Sequence, residues 1–270
     1  MELLHIILLA IIQGITEFIP VSSSAHLIIL PNILNWQDQG LLIDIALHSG
    51  SLGAILVYFR HETLQIVQGA LHCLIMRPQT QQARLFLTLC VATFPVILFG
   101  FMFSTFHWGE HVRSIAVIGW TTVIYAVILY IADRWGARAY SVSDYRVHDA
   151  ILMGFAQVLA LIPGTSRSGI VFTAARLLGY ERVASAQLAL LMGIPTLLAS
   201  TTQGAMELAH SSDVMITKTA ILAASLSFIF ALITLRVFMR IISKFAITGF
   251  VIYRLFLGGW LLWIVYGPPL

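Results

Sequence analysis

A carboxylate, three hydroxyls and an imidazole stand close together near the start of the chain, at Glu17, Ser22, Ser23, Ser24 and His26, in a stretch that is otherwise apolar. A second polar island, Gly164-Thr165-Ser166-Arg167-Ser168, interrupts an equally apolar stretch in the other half. If a helix starts near Ser22, His26 lies one turn beyond both Ser22 and Ser23, which sets a hydroxyl nucleophile beside an imidazole base. The planar fork of Arg167 matches the oxygens of a phosphate, and a guanidinium among apolar residues costs too much to be idle. An unpaired carboxylate is costly there too, so Glu17 is expected to face Arg167 or a divalent metal ion.

The side chains must be positioned by broken helices. Pro20 and Pro163-Gly164 each end an apolar run, because proline lacks an N–H and restricts the residue before it. The Ser and Thr residues that follow are good N-caps for a new helix. Each break aims a helix N-terminus, with its free N–H groups and positive dipole end, into the protein. Two such ends meeting from opposite sides suit a multiply charged phosphate, with Ser22, Ser24, Gly164, Thr165, Ser166 and Ser168 as its binding residues. The halves beside each break run about 10 to 15 residues, too short to span a bilayer. Residues 3–30 and 150–178 are therefore expected to be re-entrant helix-loop-helix elements that dip in and return.

The surrounding chain belongs in lipid. Of its 270 residues, 59% are hydrophobic and 10% charged, against roughly 25% charged in soluble domains, which excludes a soluble globular protein and a disordered one. Six windows reach the length of about 20 apolar residues that a span needs. They are Leu41 to Phe59, Leu85 to Phe103, Ser114 to Ala132, Val183 to Met206, Thr219 to Leu235, and Phe245 to Tyr266. The fold class is thus an all-α polytopic membrane protein, six transmembrane helices plus two re-entrant elements, in contact with the lipid bilayer. A net charge of +3 with only Lys218 and Lys244 as lysines and with scattered arginines offers no nucleic-acid patch. Cys73 and Cys90 are too few for a disulfide scaffold. The N-terminus, with Glu2 and no basic n-region, is expected to belong to the mature protein.

The arginines carry a topology signal instead. Segments 60–84, 133–148 and 236–246 hold three basic residues each, and segments 104–113 and 207–218 hold one each. The positive-inside rule puts the first set in the cytoplasm, which leaves both termini outside. The chain also repeats itself: Ile12 to Ser24 aligns with Phe155 to Arg167 at an offset of 143, and each copy is followed by three spans. An odd number of spans inverts the second copy, so residues 1–135 and 136–270 read as inverted repeats of one membrane domain. Broken helices at matching positions of such halves point to a site near the membrane midplane.

The stretches Gln13-Gly14-Ile15-Thr16-Glu17-Phe18-Ile19-Pro20-Val21-Ser22-Ser23-Ser24-Ala25-His26 and Pro163-Gly164-Thr165-Ser166-Arg167-Ser168-Gly169 resemble the two signature motifs of the undecaprenyl-pyrophosphate phosphatase family, the bacitracin-resistance protein BacA. Gly50-Ser51, Leu190 to Pro195 and Ile252-Tyr253-Arg254 also fit, so the similarity covers nearly the whole chain. The resemblance implies a bacterial inner-membrane enzyme with its site open to the periplasm. Such an enzyme removes the terminal phosphate of a prenyl pyrophosphate lipid, regenerating the monophosphate carrier for peptidoglycan synthesis. It further implies Glu17, Ser23, His26 and Arg167 as catalytic residues, Mg2+ or Ca2+ as cofactor, and a homodimer. The metal would be held by Glu17 and Gln13, yet Gln13 replaces a family glutamate and brings no charge. Ala25, Val171 and Gln187 likewise stand where the family has glycine, threonine and glutamate, with Thr173 poorly placed to substitute. Asp44 matches a family glutamate.

Two other readings stay open on the residues alone. A polyprenyl-phosphate or anion transporter could use the same helix ends and Arg167 without needing Ser23 beside His26. A phosphohistidine-type lipid phosphatase would need a second histidine soon after Ser166-Arg167, and none occurs from Ser168 to Ala209. The topology has a direct check. A membrane-impermeant thiol reagent applied from outside should label a cysteine engineered at 109 and spare one at 142, and the reverse pattern would mean the orientation is inverted.

Overall fold

The computed structural model describes residues 3–34, 36, 37, 39–210 and 214–268. The first half holds α1 (Leu3–Thr16), α2 (Ser23–Leu34), α3 (Leu41–Tyr58), α4 (Arg60–Leu74), α5 (Gln81–Thr105), α6 (Trp108–His111) and α7 (Ile115–Trp135). The second holds α8 (Val147–Val158), α9 (Arg167–Leu177), α10 (Arg182–His210), α11 (Val214–Ile242) and α12 (Thr248–Tyr266). Short 3-10 turns lie at Val142–Asp144 and Leu159–Leu161, and no strand occurs among the described residues. Helices α3, α5, α7, α10, α11 and α12 are long and apolar enough to cross a membrane. Each overlaps most of one of the six windows expected from sequence. The chain is an all-α multi-pass membrane protein. Residues 211–213, within a segment used for the charge comparison, and the chain ends at 1, 2, 269 and 270 lie outside the described residues.

Segment 60–84 was expected only as a connection, and much of it is helix α4. Leu64, Val67, Leu71 and Leu74 have helical spacing, but Arg60, His61 and Glu62 before them and Gln65, Gln68 and His72 among them dilute the apolar signal below that of a span. Helix α4 turns back along α5, and Gly69 is packed against the backbone of Gln82. Local caps set where the spans begin. The Thr80 hydroxyl accepts the Ala83 N–H at 3.2 Å before α5, and Ser114 accepts the Val117 N–H at 3.3 Å before α7.

Helix α1 packs along α11, α8 packs along α5, α3 meets α10, and α7 meets α12. Lipid is as apolar as leucine, so close approach holds the spans together, and small residues allow it. Gly50 of α3 lies against the backbone of Ala224 in α11. Beside it, the Ser51 and Ser227 hydroxyls are 3.2 Å apart, and Ser227 donates to the Leu47 carbonyl at 2.7 Å. Phe18, Ile55, Met153, Phe172, Leu188 and Met192 fill the core around the re-entrant elements. Phe94, Phe101, Ile124, Ile233 and Phe256 stay exposed on the outer surface, where lipid solvates them.

The two breaks meet each other. Ser22 and Ser166, the residues just before α2 and α9, both take positive φ, at 75° and 71°. Ser22 is two residues past Pro20 and Ser166 three past Pro163, the extra residue being Gly164 at φ 92°. The offset of 143 between the prolines therefore becomes 144 at the helix starts, and Ser23 and Arg167 are the matching first residues of α2 and α9. Ser166 caps its own helix, accepting the Gly169 N–H at 3.3 Å, whereas the Ser22 hydroxyl accepts the Gly164 N–H of the opposite loop at 3.2 Å. In return Ser168 donates to the Ile19 carbonyl at 3.2 Å.

Arg254 of α12, fully buried, closes this junction. It donates to the carbonyls of Gly164 at 2.9 Å, Thr165 at 3.1 Å, Pro20 at 3.2 Å and Thr122 at 3.4 Å. A buried arginine needs either an acid or carbonyls to accept its N–H groups, and here the acceptors are carbonyls. A second buried arginine, Arg176, braces the far end of α9. It donates to the carbonyls of Ala137, Gly136, Asp133 and Tyr180, while Arg182 grips the Asp133 carboxylate at 2.6 and 2.8 Å. Replacing Arg254 by methionine leaves carbonyls of both loops without a donor. The folded state should lose about 3 kcal/mol or more, read as a lowered unfolding midpoint in detergent. Lysine, a single point charge, should not restore it.

Candidate active site

Glu17 follows α1 directly, its N–H still bonded to the Gln13 carbonyl at 3.0 Å, so its side chain leaves the last turn toward the junction. It is buried, and four side chains surround its carboxylate. Arg167 reaches Oε1 at 2.5 Å. The Ser23 hydroxyl donates to Oε2 at 2.7 Å, the Gln13 amide donates to Oε2 at 2.9 Å, and His48 Nε2 stands 3.6 Å from it. Ser23 and Arg167, the first residues of two half-helices 144 positions apart, thus share one carboxylate.

Arg167 is held from its other side by α10. Its Nη1 donates to Thr196 Oγ1 at 2.8 Å, and its guanidinium fills the space beside Gly193, where a Cβ would stand 3.0 Å from Cζ. Arg167 and Ser23 are half-buried, as is Ser24, whose hydroxyl is 3.3 Å from that of Ser22. Thr165 is buried with its hydroxyl unpartnered. Ser22, Gly164, Ser166 and Ser168, the other expected phosphate-binding residues, all take part in the bonds within and between the loops.

His26 stands differently from the sequence expectation. Its Nδ1 is 2.7 Å from the Ser22 backbone carbonyl and its Nε2 is 2.6 Å from the Tyr253 hydroxyl. Ser23 turns instead to Glu17. One turn of separation brings His26 near Ser22, but the bond it makes is to that residue's main chain. Asp44 takes the Gln39 amide at 2.7 Å. The substituted positions are accommodated. Gln187 donates to Glu62 of α4 at 3.0 Å, Val171 is core, and Thr173 bonds to the Gly169 carbonyl in its own helix.

His48 and Thr196 enter the site without a sequence expectation, although His48 is a titratable side chain inside the apolar window 41–59. Gly193 and Tyr253 lie in stretches that fit the family, but their own roles had no signal in the sequence.

Among the described residues no three His, Cys, Asp or Glu side chains form a metal cluster. One observation bears on a divalent cation: Gln13 Oε1 is buried without a hydrogen-bond partner, while the same amide's nitrogen donates to Glu17. One carboxylate and one spare amide oxygen fit a Mg2+-type ion that completes its shell with substrate phosphates and water. Such an ion would be held weakly, because Arg167 already balances the Glu17 charge.

Broken helices thus bring a serine, a carboxylate and an arginine together inside a multi-pass membrane protein. The family described as Bacitracin resistance protein BacA matches residues 6–260, and the chain belongs to that family. Relatives called undecaprenyl-diphosphatase include one from Ruegeria sp. (strain TM1040), 47% identical over 267 residues, covering 99% of this chain and all of the relative. Another, from Jannaschia sp. (strain CCS1), is 45% identical over 266 residues, 98% of this chain and all of the relative. A third, from Campylobacter curvus (strain 525.92), is 42% identical over 265 residues, 98% of this chain and 99% of the relative.

Gly193 offers a test of the Arg167 placement. A Gly193→Ala chain should fold, since only the end of a flexible side chain must move. Displacing that end from Glu17 and Thr196 should lower the rate of phosphate release about 100-fold, measured beside an unchanged unfolding midpoint.

Proposed function

We infer that this chain hydrolyses undecaprenyl pyrophosphate to undecaprenyl phosphate and inorganic phosphate, recycling the lipid carrier for peptidoglycan synthesis and conferring bacitracin resistance. Family membership and full-length relatives bearing the enzyme's name support the activity. The observation that carries the chemistry is the Ser23 hydroxyl donating to Glu17 while Arg167 occupies the other carboxylate oxygen.

The substrate's phosphates bring about three negative charges near neutral pH. Arg167 has five N–H donors, of which Thr196 and Glu17 engage two, so its fork can turn toward phosphoryl oxygens without losing its anchor on α10. First-turn N–H groups of α2 and α9 add positive potential from two directions. When Arg167 moves to phosphate, Glu17 is released from its counter-ion and can accept a proton. Ser23 Oγ then attacks the terminal phosphorus, its proton passes to Glu17, and undecaprenyl phosphate leaves. Water cleaves the phosphoserine and returns the free hydroxyl. Direct attack by a water bound in the place of the Ser23 hydroxyl would use the same acceptor. Gln13 Oε1, with the Glu17 carboxylate beside it, would hold a divalent cation, which would supply further neutralisation of the pyrophosphate when bound.

The charge pattern supports an inner-membrane orientation with both termini and the mouth of the site on the periplasmic side. The paired packing of α1 with α11 and α8 with α5 supports the inverted-repeat reading. Phosphate release from a soluble prenyl pyrophosphate by purified protein, with and without Mg2+ or Ca2+, tests the whole assignment. Ser23→Ala and Glu17→Gln should each lose about 100-fold or more, and Arg167→Ala about 1,000-fold. A folded parent that releases no phosphate would sink the hydrolase reading and favour a carrier, whereas parental rates in Ser23→Ala would leave only the water route.

A further inference from the structure

His26 has both ring nitrogens engaged, and its partners fix its chemical form. A carbonyl oxygen can only accept, so the 2.7 Å contact to the Ser22 carbonyl puts the proton of the neutral ring on Nδ1. Nε2 is then the ring's lone-pair nitrogen, and the Tyr253 hydroxyl, 2.6 Å away, donates to it. The two rings lie nearly parallel, 8° apart in plane with centroids 5.8 Å apart. Tyr253 is the neighbour in sequence of Arg254, whose guanidinium ties both loops together. One turn of α12 thus secures the loops through one side chain and the imidazole through the next.

We propose that Tyr253 is a positioning residue of the active site, whose hydroxyl holds His26 in the Nδ1–H tautomer with Nε2 facing that hydroxyl. For its kinetic consequence the proposal rests on the phosphatase reading together with the catalytic role that the family resemblance implies for His26, but the tautomer itself rests on neither. The ring of Tyr253 alone does not suffice: without the hydroxyl, Nε2 has no donor, and the imidazole is held at one nitrogen and free to rotate or exchange tautomers.

Tyr253→Phe keeps the ring and removes only the hydroxyl. In detergent-solubilised full chain it should lower kcat for soluble prenyl pyrophosphate about tenfold with KM and the unfolding midpoint unchanged. In a His26→Ala background the same change should have no further effect, a coupling that a purely structural role would not produce. Nitrogen-15 resonances of labelled histidine should show an unprotonated, hydrogen-bonded Nε2 for His26 in the parent and a loss of that state in Tyr253→Phe. A parental kcat in Tyr253→Phe, or an equal fall in the presence and absence of His26, would overturn the proposal. An inactive parent would remove the phosphatase reading while the nitrogen spectra still decide the Tyr253 assignment, an unchanged His26 signal in Tyr253→Phe counting against it.

Discussion

Two interrupted helices end inside a membrane protein, where no bulk water is present to bond their free carbonyl and N–H groups, and the whole centre is organised around satisfying them. Arg254 gives one guanidinium to carbonyls on both sides of the junction, and Ser22 and Ser168 cross-bond the loops in opposite directions. The cost of burying a charged guanidinium is offset because all its contacts are carbonyl acceptors at hydrogen-bonding distance. Loop conformation, the direction of both helix N-termini and the spacing of Ser23 from Arg167 all follow from this clamp. Ser22 and Ser166 hold a backbone region that non-glycine residues seldom enter, and the interlock is what keeps them there.

Glu17 is the complementary hub. A lone carboxylate in this environment would take up a proton or leave. Arg167, Ser23, Gln13 and the nearby His48 make its charge tolerable and at the same time gather the reactive groups. In the proposed reaction, a hydroxyl already hydrogen-bonded to a carboxylate whose counter-ion is a guanidinium would link substrate arrival to proton acceptance. Gln13, where the family resemblance implies a carboxylate, donates to Glu17 and leaves its own amide oxygen without a partner.

Much of this was legible in the chain. Pro20 and Pro163 sit in runs too short to cross a bilayer, so breaks and spans could be placed from length and hydropathy alone. Scarcity of charge, 10% of the chain, draws attention to the few charged residues inside apolar segments, Glu17, Asp44, Arg167 and Arg254. Helix α4 escaped because its apolar stripe is interleaved with polar residues. Arg176 escaped because it stands at the edge of its apolar segment, where an arginine reads as solvent-exposed. The pairing of Ser23 with His26 was inferred from helical spacing, which measures proximity along one helix and is silent about a carboxylate or a tyrosine arriving from another.

By itself the sequence determined that this is a multi-pass helical membrane protein, where its helices break, and which polar residues lie at the breaks. Those features depend on local backbone preference and on the transfer of side chains between water and lipid. Only the tertiary structure decided that Ser23 turns to Glu17, that His26 is taken by Ser22 and Tyr253, and that Arg254 serves the loops. Hydrogen bonds among buried groups are chosen by angles and distances of tenths of an ångström between elements far apart in the chain.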